Sequence, residues 1–268
     1  MSRWIELPQL AAIRMTGSDA GAFAQAQFTA DSATISDQFW HPLAWCDPKG
    51  RVLSFMLANR SHAGIDLIVP AVQLDFMANR LPVYAIGRQV SFEPTANVRG
   101  TFAPQSSDAS LAFDPARALS VAPADPCPEH AAASNWRYHD LRCALPWLQP
   151  DTAGRHLPQS LGLEPLGAIS YDKGCYPGQE IIARVHYLGR SRYRTVALRL
   201  DQIAEIAANS AVYAGERKAG NWLWGTRWTQ VTLGLAVVDD ALQPEANLTV
   251  ETASGRISGQ VTPVDQLC

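Results

Sequence analysis

The chain has 268 residues, 47% of them hydrophobic, and its 22 basic and 25 acidic residues give a formal net charge of -3. That length and apolar content can bury a substantial core, and they predict one large domain with a smaller one. The near-balance of charge gives no global attraction for phosphate backbones or anionic lipids, so a nucleic-acid role would have to depend on a local patch.

The chain does not begin with a basic segment followed by a long apolar run, and it contains no stretch of about 18 uninterrupted apolar residues. We therefore expect a soluble, cytoplasmic protein with no membrane partner. An odd number of widely spaced cysteines predicts free thiols rather than disulfides. The absence of a CxxC or HxxxH pair predicts no metal site built by the protein. The cysteines are Cys46, Cys127, Cys143, Cys175 and Cys268.

The first predicted elements are strands around one helix. Residues 12–16 alternate like a short strand, and a Gly-Ser-Asp turn over 17–19 precedes a predicted helix over about 20–30. Residues 52–57 and 65–69 are short apolar runs separated by a turn composition, which predicts two paired strands.

A second helix is predicted between Pro70 and Pro82, before a predicted strand over residues 83–92. One face of this helix is predicted to carry Val72, Phe76, Met77 and Leu81. The order β-β-α-β indicates an α+β sandwich. Residues 103–134 are rich in Ala, Pro, Ser and Asp, and either a surface excursion or weakly patterned strands would fit them.

The last third of the chain changes from helical to strand periodicity. A helix is predicted to begin near Gly178 and to end at Gly189. Its apolar residues are Ile181, Ile182, Val185 and Leu188. Four period-two runs then predict an all-β tail, a small barrel or sandwich: 196–200, 231–238, 248–252 and 257–261. We therefore divide the chain into an α+β domain over 1–190 and a β-barrel domain over 191–268.

Residues 173–180, Lys-Gly-Cys-Tyr-Pro-Gly-Gln-Glu, combine a thiol, an ammonium, a carboxylate and an amide with two glycines. Cys175 lies just before the positive end of the predicted helix, and Lys173 adds a second positive charge, so both favour a reactive thiolate. A small cysteine packed in a tight turn is the alternative. A Cys-His catalytic pair is not indicated, because no histidine is identified as its partner by local sequence.

Gln179 and Glu180 could hydrogen-bond the edge of a flat heterocycle such as an amino-pyrimidinone. Ordinary capping of the first helical turn is the alternative for both residues.

A basic patch follows, with His186 and five arginines and no acid between Ile181 and Leu200. It would suit the anionic tail of a polyglutamate or a phosphate of RNA, whereas a solvated helix-to-strand turn is the alternative. The arginines are Arg184, Arg190, Arg192, Arg194 and Arg199. Trp222, Trp224 and Trp228 alternate on a predicted hairpin and are interpreted as packing residues.

The segment 173–180 resembles the signature K-G-C-[FYW]-x-G-Q-E of the YgfZ-type folate-binding proteins, relatives of the glycine-cleavage aminomethyltransferase, or T-protein. The likeness covers about the first 100 residues and 136–194, whereas the barrel matches only in outline. It extends to residues 17–20, 25–31, 46–51, 157–159 and 167–170.

The resemblance implies an aminomethyltransferase-like α+β fold with ferredoxin-like α/β subdomains, a central channel for tetrahydrofolate and a closing C-terminal β-barrel. It implies a role in maintaining iron-sulfur enzymes, including those that thiolate tRNA, with Cys175 and Lys173 as the functional pair. Leu10 stands where the best-known members have a second folate tryptophan, and the middle segment near 100–134 is shorter. The residues expected near folate are Trp136, Tyr176, Gly178, Gln179, Glu180 and Arg184.

Ser54 and Phe55 stand where true aminomethyltransferases carry an acidic pair that positions folate and helps proton transfer. The leading hypothesis is therefore a folate-binding accessory protein that supports iron-sulfur cluster synthesis or repair and thereby tRNA modification. A folate-dependent one-carbon transferase or demethylase is the main alternative, and a tRNA-binding module that uses the arginine patch is the third. Whether the protein catalyses a reaction stays open at this point.

Overall fold

The computed structural model describes residues 4–95, 97–122, 130–243 and 246–263. The first nine strands are β1 (Ile5–Glu6), β2 (Leu10–Thr16), β3 (Phe39–Cys46), β4 (Val52–Ser61), β5 (Gly64–Pro70), β6 (Ser91–Thr95), β7 (Val98–Thr101), β8 (Ser110–Leu111) and β9 (Asp114–Val121). The helices are α1 (Ala20–Gln27), α2 (Leu74–Arg80), α3 (His130–Arg142) and α4 (Gln179–Leu188). The later strands are β10 (Tyr193–Leu200), β11 (Ala211–Ala214), β12 (Arg217–Trp228), β13 (Val231–Asp239), β14 (Asn247–Thr252) and β15 (Gly255–Thr262).

Within the described residues, nine strands form one sheet in the order β1-β7-β9-β8-β3-β4-β5-β2-β6. Strand β4 shows why the sheet carries a core on each face, since its side chains alternate with period two. Phe55 and Leu57 belong to the core shared with the barrel, whereas Met56 and Ala58 belong to the core under α1 and α2. The sheet is therefore a central layer between two apolar cores.

The six strands after α4 close into a barrel in the order β10-β13-β12-β11-β14-β15. Trp222 fills the barrel interior, whereas Trp224 belongs to the core outside it. The pairing of β12 with β13 shifts register between these two residues, and such a bulge turns a side chain to the other face. The two tryptophans therefore pack in different cores. Trp228 packs as well, since it stacks on Tyr138 at 3.9 Å between ring centroids.

Helix α3 is joined to the sheet by a buried ion pair and to the barrel by a hydrogen bond. The Arg117 guanidinium on β9 donates to Asp140 on α3 at 2.7 Å and to Asp114 at 2.6 Å. Burial acts to lower the pKa of Arg117, but these two carboxylates outweigh burial and raise it. On the barrel side, the Arg137 guanidinium donates to the Gly225 carbonyl.

The α+β fold with a C-terminal barrel is confirmed, and so are the paired strands, which form β4 and β5 with Leu57 opposite Ile68. Residues 103–134, for which a surface excursion and weakly patterned strands both fitted the sequence, contain strands β8 and β9 and the start of α3. Residues 123–129 lie outside the described part. Cys46, Cys143 and Cys175 are free thiols. Cys127 and Cys268 lie outside the described residues. No helix in the described part is long and apolar enough to span a bilayer.

The buried face predicted around helix α2 was right for Met77 and Leu81 and wrong for Val72 and Phe76. Val72 and Phe76 are 59% and 43% exposed, whereas Gln73 is buried with Met77 and Leu81. The reason is polar, because the Gln73 amide donates to the Leu53 carbonyl at 3.1 Å and accepts from Ser54 at 2.7 Å. These two bonds turn the segment so that a glutamine occupies the inner face.

The strand predicted over 83–92 was also wrong. A 3₁₀ helix spans Leu81–Ala85 with Pro82 in its first turn, and β6 begins only at Ser91. Pro82 is compatible with that first turn because a helix start needs no amide donor there. Ile86 is 85% exposed, so the apolar residues here do not mark a buried strand.

Candidate functional site

Residues 173–178, called the thiol loop below, lead directly into helix α4. Gly178 caps the helix in a left-handed conformation with φ of 80°. Cys175 is exposed, whereas Lys173 and Tyr176 on either side of it are buried. The predicted helix start is therefore confirmed, and the thiol is on the surface rather than packed in a turn.

Lys173 holds the thiol loop against the segment that follows α1. Its ammonium donates to the carbonyl oxygens of Phe28 at 2.6 Å and Ala30 at 2.9 Å. It also lies 5.0 Å from the centre of the Tyr176 ring. Burial lowers the pKa of Lys173 to about 8, against the opposing charge of Asp31. These contacts direct the ammonium toward buried carbonyls and make Lys173 an anchor of the loop.

The thiol loop meets the turn between β3 and β4 through two glycines. A Cβ atom at Gly178 would lie 2.4 Å from Gly50 Cα and 2.6 Å from the Asp47 carbonyl oxygen. The Asp47 carboxylate fixes the shape of this turn by accepting from the backbone amides of Lys49 and Arg51, both at 2.8 Å. Two segments that carry the resemblance to the family, 46–51 and 173–180, thus pack against each other.

A cleft of about 880 Å³, called the basic cleft below, opens beside these segments between the sheet domain and the barrel. The sheet side contributes Lys49, Arg51 and Arg155. The barrel side contributes Arg190, Arg192, Arg217 and Lys218. The carboxylate of Asp239 also lines the cleft and lies 3.4 Å from the Arg217 guanidinium. The cleft is therefore strongly cationic in a protein whose net charge is negative.

His156 lines the basic cleft, and its Nε2 atom is buried with no hydrogen-bond partner. Burial lowers the pKa of His156 to about 4, and the charges of Arg155 and Arg51 act in the same direction. A neutral imidazole can donate or accept a hydrogen bond with no charge of its own, so His156 adds a polar group without altering the field of the cations.

The arginine patch predicted from sequence is not one surface. Arg190 and Arg192 line the basic cleft, but Arg184, Arg194 and Arg199 do not. Acids just beyond the patch or distant in sequence pair with two of these arginines, because Arg199 lies 2.9 Å from Asp201 and Arg194 lies 3.5 Å from Asp240. His186 stacks on Tyr171 and pairs with Glu164 at 2.8 Å. The cleft cations contributed by other segments, such as the adjacent Arg217 and Lys218, were not predicted from the sequence.

A second, smaller cavity of about 180 Å³, called the interdomain pocket below, lies where the sheet, α3 and the barrel meet. Its aromatic walls are Trp147 and Trp224, and its polar groups include Gln9, Arg137 and Asp140. The Gln9 Nε2 atom is buried without a partner. The pocket is therefore lined by two indole rings and by a glutamine whose amide nitrogen has no hydrogen-bond partner.

The buried polar groups around this pocket are otherwise well ordered. Asp140 accepts from the Trp147 indole at 2.9 Å, and the Trp224 indole donates to the Leu145 carbonyl at 2.8 Å. Phe55 packs against Trp147 with 5.1 Å between ring centroids. Both indole walls are thus held by hydrogen bonds, and Phe55 supports the Trp147 wall from the sheet side.

The residues predicted to contact folate do not come together at this pocket. Trp136 is 1% exposed, and a Cβ at Gly100 would lie 2.5 Å from its ring, so this indole is enclosed in the core. Gln179 donates weakly to the Lys173 carbonyl at 3.4 Å, and Glu180 is exposed. None of the residues singled out between 176 and 184 lines the pocket. Of the positions singled out from the sequence for their relation to folate, Leu10 does line the interdomain pocket.

No protein-family model matches the chain. The sequence is 27% identical to the tRNA-modifying protein YgfZ of Vibrio atlanticus, an alignment covering 88% of this chain and 84% of the relative. It is 30% identical to an uncharacterized protein of Haemophilus influenzae, covering 87% and 89%. The fold is similar to that of the glycine cleavage system aminomethyltransferase T from Bartonella henselae, with a TM-score of 0.71 at 13% identity over 98% of this chain and 86% of that one.

The contact between Gly178 and Gly50 generates a stability prediction. Gly178→Ala should lower the free energy of unfolding by about 3 kcal/mol, since it adds a backbone clash to the strain of a positive φ. Gly162→Ala is the matched control, because Gly162 has φ of 73° and open space around its Cβ position. It should cost only about 1 kcal/mol. Equal losses in urea unfolding would contradict the close approach.

The depressed pKa of His156 predicts a pH dependence of stability. Below its ordinary value of 6.5 the unfolded chain takes up a proton that the folded chain resists until about pH 4. The stabilising contribution is therefore present above pH 6.5 and is lost as pH falls toward 4. Between pH 7.5 and 4.5, the wild type should lose about 2 kcal/mol more unfolding free energy than His156→Gln. His62→Gln, at an exposed turn position, is the control, and equal losses in the wild type and His156→Gln would refute the prediction.

Proposed function

Because the chain belongs to the family of the tRNA-modifying protein YgfZ, we propose that it binds a reduced folate in the interdomain pocket and supports tRNA modification. The pocket is the observation that carries this proposal. Two indoles line it, together with Gln9, whose amide nitrogen is buried without a hydrogen-bond partner. The protein is proposed to act in the cytoplasm, where its tRNA and enzyme partners would be.

The residues of the interdomain pocket fit the pterin end of a folate. Trp147 and Trp224 can pack against a flat ring, and a buried amide and carboxylate match the donors and acceptors of an amino-pyrimidinone edge. Each Asp140 oxygen accepts one described hydrogen bond and retains a free lone pair. The small volume suits a ring system rather than a whole folate, so the glutamyl end would extend outside the pocket.

A bound reduced folate would supply a carrier for one-carbon units. The chain's own residues would bind and orient it: Gln9 by donating from its unpaired amide, Asp140 by accepting, and the two indoles by excluding water. Arg137 would stay on the rim, held by the Gly225 carbonyl.

The position of the missing acidic pair favours a binding role over aminomethyl transfer. Ser54 is buried and donates to Gln73, and Phe55 is buried against Trp147. Neither side chain can serve as a general acid or base near the pocket. A folate-dependent transferase or demethylase would therefore have to draw its proton-transfer group from elsewhere, which keeps it as the second candidate.

The exposed Cys175 completes the proposal. Its thiol is held on the surface by buried neighbours on both sides, so it can meet another protein without rearrangement of the fold. The proposed clients are iron-sulfur enzymes, such as those that thiolate tRNA, whose clusters a thiolate could help to assemble or repair. In this proposal folate binding and thiol chemistry occupy separate places on the protein.

Binding of tetrahydrofolate can be followed by tryptophan fluorescence, since two indoles line the pocket. Gln9→Ala should weaken binding about tenfold, because a lost hydrogen bond to a buried group costs about 1–2 kcal/mol. Ala71→Phe, which places a ring inside the pocket, should abolish binding while removing no contact group. Gln202→Ala, at an exposed position outside the pocket, is the control. Wild-type affinity in both pocket variants would exclude this site.

The role of Cys175 can be tested in cells that lack the endogenous protein. Cys175→Ala should bind tetrahydrofolate like the wild type but fail to restore the level of thiolated tRNA nucleosides. Cys143→Ala replaces a half-buried cysteine outside the thiol loop and should restore it. Full restoration by Cys175→Ala would remove the thiol from the proposal and leave the folate site standing.

A further inference from the structure

The basic cleft concentrates positive charge that the fold does not use. Seven cationic side chains line it against the single carboxylate of Asp239, which is already near Arg217. Within the described part of the chain, no carboxylate lies within ion-pair distance of Arg190 or Arg192. Structural arginines of the same segment, Arg194 and Arg199, are paired. The unpaired cations therefore point to an anionic ligand.

The shape of the basic cleft selects among anions. Its volume of about 880 Å³ far exceeds one phosphate, and its cations lie on two facing domains, which suits a chain of regularly spaced charges. Two extended anions would fit this description, the phosphate backbone of a nucleic acid and the tail of a folate polyglutamate. The basic cleft and the interdomain pocket share no lining residue, so the cleft is a separate site, and competition with a polyglutamate peptide distinguishes the two anions.

An exposed aromatic ring in the cleft favours nucleic acid over an acidic polypeptide. Tyr193 lines the cleft at 39% exposure, with the Arg192 guanidinium 5.6 Å from its ring centre. Bases can stack on such rings and on guanidinium planes, and cations along a groove can follow the phosphates.

We propose that the basic cleft binds the phosphate backbone of an RNA strand, with Arg190 and Arg192 as phosphate contacts and Tyr193 as a stacking surface. That the RNA is a tRNA depends on the proposed function. The cleft adjoins the turn of residues 47–51 against which Gly178 packs, so a bound RNA would lie beside the thiol loop. The protein would then present Cys175 to an enzyme working on that same RNA.

The test is fluorescence anisotropy of a labelled, unmodified tRNA transcript titrated with the full chain at several salt concentrations. Arg190→Ala/Arg192→Ala should weaken binding at least about tenfold and reduce the slope of log Kd against log salt by about 1 to 2. Arg88→Ala/Arg199→Ala removes the same charge outside the cleft and should change Kd less than about twofold. Equal binding by the two double variants would overturn the proposal.

Two further measurements identify the occupant. Polyglutamate peptide at matched charge should not displace the transcript, and displacement would assign the cleft to acidic polypeptides instead. Tetrahydrofolate titration of Arg190→Ala/Arg192→Ala should give the wild-type affinity. Loss of RNA binding with folate binding retained would support the basic cleft as the RNA site. Retained RNA binding in this variant would refute that assignment and leave the proposed folate site unaffected.

Discussion

The close approach of Gly178 to the backbone of Gly50 is the contact on which the arrangement of the thiol loop, helix α4 and the adjoining wall of the basic cleft depends. It allows the thiol loop and the turn after β3 to pack backbone against backbone, at a distance that no side chain would permit. Helix α4 begins at that point, and the barrel begins shortly after the helix ends. The direction of α4, the position of Cys175 and the near wall of the basic cleft all follow from this contact.

The proposed folate site and the proposed RNA site lie at different junctions between the sheet domain and the barrel. The interdomain pocket lies where α3 meets the sheet and barrel, and the basic cleft lies beside the start of α4. Phe55 supports the interdomain pocket from behind by packing against Trp147, so this position contributes an aromatic ring and no ionisable group. The thiol and the cations lie outside that pocket and can serve larger partners.

Polar contacts explain where sequence patterns misled. Apolar periodicity placed Phe76 inward on α2, but the buried hydrogen bonds of Gln73 turned the helix the other way. The arginine patch looked continuous because the acids that divide it, Asp201 and Asp240, follow later in the chain. A bulge at Leu223 places neighbouring tryptophans in different cores. The bonds of Gln73, the pairing of Arg194 with Asp240 and the bulge depend on distant segments, whereas Asp201 lies only two residues after Arg199.

The sequence by itself determined the family, the α+β fold with its barrel, the paired strands and the thiol loop before a helix. Those features follow from period-two alternation, glycine positions and a contiguous motif, which are local properties of the chain. Only the tertiary structure decided that Lys173 is an anchor, that Trp136 is enclosed and that the pocket and cleft exist. Their residues come from distant segments, and burial and charge neutralisation depend on which segments the fold brings into contact.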